Sequence, residues 1–145
     1  MLAIQATGRV VRDARGLEVY VTRLIPASLE DTWAWIAIPA KAKKWLPSLT
    51  VEDSSALTRL VGFVDGARVT FSLVEVDGGT RVFLTQRLET IREAGTVGPQ
   101  WEFLLDSLLA RVAGTKAPAR ADYDTQQPYY ERLAMDGDPS FWPTR

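Results

Sequence analysis

The stretch TVGPQWEFLLDSLLARVAG, residues 96–114, constrains the fold of this chain more than any other. Trp101, Leu104, Leu105, Leu108 and Val112 recur at helical spacing and form one apolar stripe, with Gly114 a good stop. Such a helix is not stable while that face is wet, so other elements must cover it. Strand candidates just upstream can do so. ALTRLVGF, ARVTFSLVEV and TRVFLTQRLE are joined by the glycine turns VDGA and DGG, the pattern of an antiparallel meander. Val69, Phe71 and Leu73 share one face, away from Arg68, Thr70 and Ser72. Val82, Leu84, Gln86 and Leu88 share a face on the next strand. On the first strand, Leu57, Arg59, Val61 and Phe63 are assigned to the inward side.

The N-terminal third supplies the rest of the cover. Residues 8–13 and 17–25 read as two strands joined by ARG, with Leu17, Val19, Val21, Arg23 and Ile25 on one face. Pro26 stops the second strand, and Ser28 opens a helix over residues 29–37. Trp33, Ile36 and Ala37 share one face of that helix. Pro39 ends it, because the residue before a proline is pushed out of the helical region. AKAKKWL follows as a second short helix ending near Pro47. The order predicts an α+β fold, with a curved antiparallel sheet wrapped around the C-terminal helix.

At 145 residues the chain suits one domain. Residues 1–114 form its expected core, and residues 115–145 a tail with a short helix after Pro128, packed on the same domain. In that tail Tyr129, Tyr130, Phe141 and Trp142 either dock back on the body or contact a second copy. There is no cysteine and no histidine, which excludes disulfides, thiol nucleophiles and cysteine-based zinc sites. It also removes the side chain most used for proton transfer near neutral pH. Any catalysis would fall to carboxylates, lysine, tyrosine, serine or threonine. Seventeen basic residues against eighteen acidic ones give no global attraction to nucleic acid. No apolar run approaches the roughly 20 residues that span a bilayer. The N-terminus lacks the layout of a signal peptide, so a cytoplasmic protein is expected.

Motif order and spacing now resemble a known family. IPASLEDTW is followed by Pro39 six positions after Trp33, and by Trp45 six positions after Pro39. GGTRVFLTQ and GPQWEFLLDSL come later, and DYDTQQPYYERL closes the pattern. Over residues 8–133 this is similar to the START/SRPBCC superfamily (Bet v 1-like, helix-grip), in its heat-shock-protein ATPase activator-like branch. The resemblance implies a cavity between the long helix and the sheet. Its implied lining here is Trp33, Ile36, Trp45, Phe63, Val69, Phe71, Val82, Leu84, Gln86, Trp101, Leu105 and Leu108, set against the alternative that these residues simply fill the core. Members usually carry an extra hairpin where this chain has only LPSLTVEDSS, which predicts fewer strands and a trimmed or open pocket wall.

Three polar features bear on chemistry. Gln86, Arg23 and Arg59 fall on inward faces, where a buried polar group needs a partner from a ligand or the protein. Glu102 and Asp106 are four apart and suit acid–base work only if desolvated, whereas the helical wheel sets them at the solvated edge of the stripe. KAKK beside Trp45 reads as a solvated helix face rather than a single-strand nucleic-acid site. The resulting expectation is a non-catalytic protein that binds a small hydrophobic or amphipathic molecule. It has no cofactor, metal or nucleic-acid partner, and exists as a monomer or homodimer. The alternatives are a cyclase or dehydratase acting on a polyketide-like or aromatic substrate, and a chaperone ATPase co-regulator.

Overall fold

Alternating residues in the strands set the register of the sheet, which in turn sets the path of every helix. The computed structural model describes residues 4–46 and 48–136. Strands β1 (Arg9–Asp13) and β2 (Gly16–Ile25) are followed by helices α1 (Leu29–Ala37) and α2 (Pro39–Ala42). Then come β3 (Leu49–Ser55), β4 (Arg59–Val64), β5 (Ala67–Val76) and β6 (Gly79–Leu88). Helix α3 spans Ile91–Ala113, a 3-10 helix Arg120–Gln126, and α4 Gln127–Asp136. The strands form one antiparallel sheet in the order β1-β2-β6-β5-β4-β3. The result is the α+β arrangement expected, a curved sheet gripping one long helix.

Val19 and Val21 on β2, Val82 and Leu84 on β6, and Val69 and Phe71 on β5 bury the inner face almost completely. Helix α3 crosses that face mainly over β2. Ser28 caps α1, its hydroxyl accepting from the Asp31 amide. Within α1 the buried pair is Thr32 and Ile36, one helical turn apart; Trp33 is half-buried at the margin of the core.

Three expectations are corrected. The first concerns β4, whose inward face is Leu60, Gly62 and Val64. Leu60 pairs with Phe71 and Gly62 with Val69, both inward-facing. Arg59, Val61 and Phe63 lie on the opposite face, in register with Ser72, Thr70 and Arg68. LVGFV is apolar at every position, so period-two alternation cannot choose a side. Leu57 cannot fix the parity either, because its φ of 70° puts it in the turn. Gly62 is needed where it stands, since a Cβ there would collide with the Thr50 carbonyl beside the bulge between Val51 and Asp53.

The second correction is that LPSLTVEDSS is not a bare connection: it forms the edge strand β3, which pairs with β4. The third is that α3 starts at Ile91, five residues before the stretch 96–114 read as helical. Thr90 and Glu93 make a capping box in which the Thr90 hydroxyl accepts from the Glu93 amide and the Glu93 carboxylate accepts from the Thr90 amide. The helix then continues through Pro99, which lacks the amide for one helical bond.

Behind α3, the 3-10 helix and α4 cover its second side. The Tyr130 ring lies against the bare backbone of Gly98, where any Cβ would strike it. Phe141 and Trp142 lie outside the described residues. Gly98→Ala should therefore push α4 off α3. We expect a loss of about 1–3 kcal/mol in urea unfolding, with faster amide exchange confined first to residues 120–136. Unchanged exchange there would refute this packing role.

Candidate functional site

Most of the residues expected to line a cavity are buried and pack against one another between the sheet and the long helix. Trp45, 5% exposed, meets Phe71 edge-on at 6.2 Å between ring centroids, and Phe71 meets Trp101 edge-on at 5.8 Å. The Trp101 indole donates to the Gln86 side-chain oxygen at 2.5 Å. The indole N–H and the Gln86 oxygen thus satisfy each other. Leu84, Val82, Val69, Leu105 and Leu108 pack around the stack, and Ile36 closes it from α1. Phe63, on the outer face, is separate from this group. The Trp45 indole donates to the Trp35 carbonyl at 2.9 Å, locking the corner between α1 and α2. Lys41 and Lys44 lie over the Trp35 ring, at 5.2 and 6.0 Å from its centroid. That is the role of Trp35 and of two of the KAKK lysines.

Glu102 departs most from the sequence reading. It is fully buried rather than at a solvated edge. Its carboxylate accepts from the Thr7 amide at 2.9 and 3.1 Å, the Thr7 hydroxyl at 2.8 Å and the Gly8 amide at 3.3 Å. It also accepts from Arg23 at 2.9 Å and, in a very short bond, from the Tyr130 hydroxyl. Asp106, one turn on, accepts from Arg23 Nε at 2.6 Å and the Tyr123 hydroxyl at 2.7 Å. Arg23 is inward-facing, as its position on β2 predicted, and its partners are these two carboxylates. The wheel failed because α3 has two buried sides. Gly95, Gly98, Glu102 and Asp106 recur at intervals of three and four and form a second stripe, facing the tail. Small residues followed by acids, with tyrosines downstream, were the available signal.

This arrangement is a clamp: every partner of Glu102 donates a hydrogen bond to it, and together they hold the segment before β1, β2 and α4 against α3. Burial lowers the tendency of Arg23 to stay charged, but its bonds to Asp106 and Glu102 outweigh that and raise its pKa. Burial raises the Tyr123 hydroxyl, helped by its bond to Asp106. Burial also raises the Tyr130 hydroxyl, helped by the charge of Glu102.

An open depression of about 1000 Å³ lies at one end of the sheet. Leu17, Leu88, Phe63 and Ile91 give it apolar walls, and Arg12, Arg15, Arg68, Arg87, Asp65, Glu89 and Glu93 line it with charge. It joins the β1–β2 turn, the β4–β5 turn and the first turn of α3. Sequence reasoning did not place it, because it assembles from three segments distant along the chain. Among the described residues, no helix is long and apolar enough to cross a membrane, and no cluster of acids could hold a metal ion.

Two predictions test the clamp. Glu102→Gln keeps the shape but removes the charge opposite Arg23, and should cost about 3 kcal/mol or more in urea unfolding. A loss under 1 kcal/mol would show the network to be dispensable. The tyrosines set a pH dependence. Their folded pKa values lie above the unfolded value of about 10, so their contribution is complete below that pH and is lost as pH rises beyond it. The double variant Tyr123→Phe, Tyr130→Phe should flatten the alkaline fall in unfolding free energy. An unchanged slope would count against it.

No protein-family model and no curated protein matches the chain by sequence. Solved structures do match by shape. A conserved protein of unknown function, EF2215 from Enterococcus faecalis, superposes with TM-score 0.74 and 16% identity over 91% of this chain and 92% of its own. CalU16 from Micromonospora echinospora gives 0.70 and 15% over 90% and 97%. The Aha1 dimer from Colwellia psychrerythraea gives 0.56 and 17% over 66% and 95%. By shape, the chain therefore shares the helix-grip fold of these proteins.

Proposed function

We propose that this protein binds a small amphipathic molecule, without transforming it, at the open end of the grip. The observation that carries the reading is the depression of about 1000 Å³ in which apolar side chains of helix and sheet meet a charged rim. Its size lies at the upper end of the usual range for ligand sites, about 300–1,000 Å³. Leu17 and Leu88 are almost wholly buried and offer an apolar floor, while Ile91 is 38% exposed, an aliphatic surface that a ligand would cover. Arg12, Arg15, Arg68 and Arg87 favour an anionic end on the ligand.

Binding is favoured over catalysis by what the polar groups already do. Gln86 is bonded to Trp101, and Arg23 to Glu102 and Asp106, whereas Arg59 stands on the far face of the sheet. A cyclase would need two or more uncommitted polar groups converging on one substrate. The test uses the whole chain with decanoate and naphthoate, followed by native mass spectrometry and thermal shift. Saturable binding is expected. Ile91→Asp, at an exposed position, should weaken it by about tenfold, the worth of one lost aliphatic contact. No binding of either probe, or binding untouched by Ile91→Asp, would refute the reading.

A further inference from the structure

A second cleft, of about 230 Å³, lies on the outer face of the sheet, away from α3. Thr70 and Thr85 pair across β5 and β6 and form its floor. Arg15, Arg59, Arg68 and Arg87 surround them, with Glu18 the one carboxylate in the lining. We propose that this cleft is a binding site for the phosphate group of a small molecule, at the scale of a mono- or diphosphate.

Three observations carry the assignment. The first is charge. Four guanidinium groups and one carboxylate line the cleft; Arg15 is 3.9 Å from Asp13 and Arg68 2.6 Å from Glu52, so the local positive field comes chiefly from Arg59 and Arg87, brought together by strand register. Arg68 is answered by Glu52, whereas the Arg59 and Arg87 side chains, on β4 and β6, have no ion pair among the described residues.

The second is unused donors. Arg59 has no hydrogen bond or ion pair among the described residues, and Glu18 forms no ion pair with Arg87 although the two are in register. Arg87 donates through one terminal nitrogen to the Arg15 carbonyl at 3.2 Å. Arg68 donates through one to Glu52 at 2.6 Å. The remaining forks suit the tetrahedral oxygens of phosphate, and the threonine hydroxyls add neutral donors below.

The third is size and shape. The cleft is about a quarter the volume of the depression at the sheet end. Its lining contains no aromatic ring, so it offers a seat for the anion and none for an apolar body. Arg59, Thr70 and Thr85 line this cleft and not the depression, whereas Arg15, Arg68 and Arg87 stand between the two and line both.

Calorimetric titration of the full chain at low ionic strength tests the proposal, with inorganic pyrophosphate, ADP and a thymidine oligonucleotide as separate titrants. Saturable 1:1 binding of pyrophosphate is expected, weakened at least tenfold by Arg59→Ala and abolished by Arg59→Ala with Arg87→Ala. Arg59 is exposed and partnerless, so its variant should fold, and circular dichroism checks this. Arg132→Ala removes the same charge from an exposed position on α4 and should leave binding unchanged. Ile91→Asp should leave it unchanged as well, which separates this site from the depression. ADP binding as tightly as pyrophosphate identifies a nucleotide as the source of the phosphate. No binding of pyrophosphate, equal weakening by Arg132→Ala, or tighter binding of the oligonucleotide would overturn the proposal.

Discussion

Glu102 has no exposure to solvent, and a carboxylate in that position loses several kcal/mol of hydration unless its lone pairs are met by donors. Here they are met from three directions. Thr7 and Gly8 reach it from the N-terminal segment, Arg23 from β2, and Tyr130 from α4. None of these elements would have reason to stop where it does without the others. The carboxylate converts three separate packing problems into one: where the segment before β1 lies, how α3 lies on the sheet, and how the tail returns.

Hydrophobic burial on the sheet side could be satisfied with α3 slid along its own axis, because leucines are interchangeable partners. A charged, directional centre cannot slide. Asp106 extends the constraint by one turn, holding the other edge of Arg23 and the Tyr123 hydroxyl. Further bonds stitch the two ends of the described chain together. Gln126 donates to the Ile4 carbonyl, Tyr129 to the Gly8 carbonyl and Arg12 to the Ala134 carbonyl. The glycines of α3 complete the arrangement, since Gly98 lets Tyr130 come close enough for its hydroxyl to reach Glu102.

The parts of this fold that were legible in the sequence are those where one face of an element is apolar and the other is not. β2, β5 and β6 alternate cleanly, and the Trp33–Pro39–Trp45 spacing marks the corner between two helices. Legibility failed where an element is buried on two sides or apolar throughout. LVGFV on β4 has no polar residue to mark the outside, so Phe63 was placed inward. Helix α3 faces the sheet with leucines and the tail with glycine and acid, so its second stripe looked like a solvated edge. The depression at the sheet end and the cleft on the outer face were illegible for a different reason. Each is made by turns or by cross-strand register, which bring together residues far apart in the chain.

Net charge carries no record of position either. Near-neutrality over the whole chain predicts no global attraction to nucleic acid, and it averages over two unlike regions. On the helix side, Glu102 and Asp106 are drawn into the interior and spend their charge on Arg23. On the outer side, Arg59, Arg68 and Arg87 come from three different strands, and register gathers them around two threonines. The carboxylates that balance those arginines in the total are thus not all available to balance them in space. Any chemistry the surface does with anions must arise from that separation, which a composition cannot record and a strand register can.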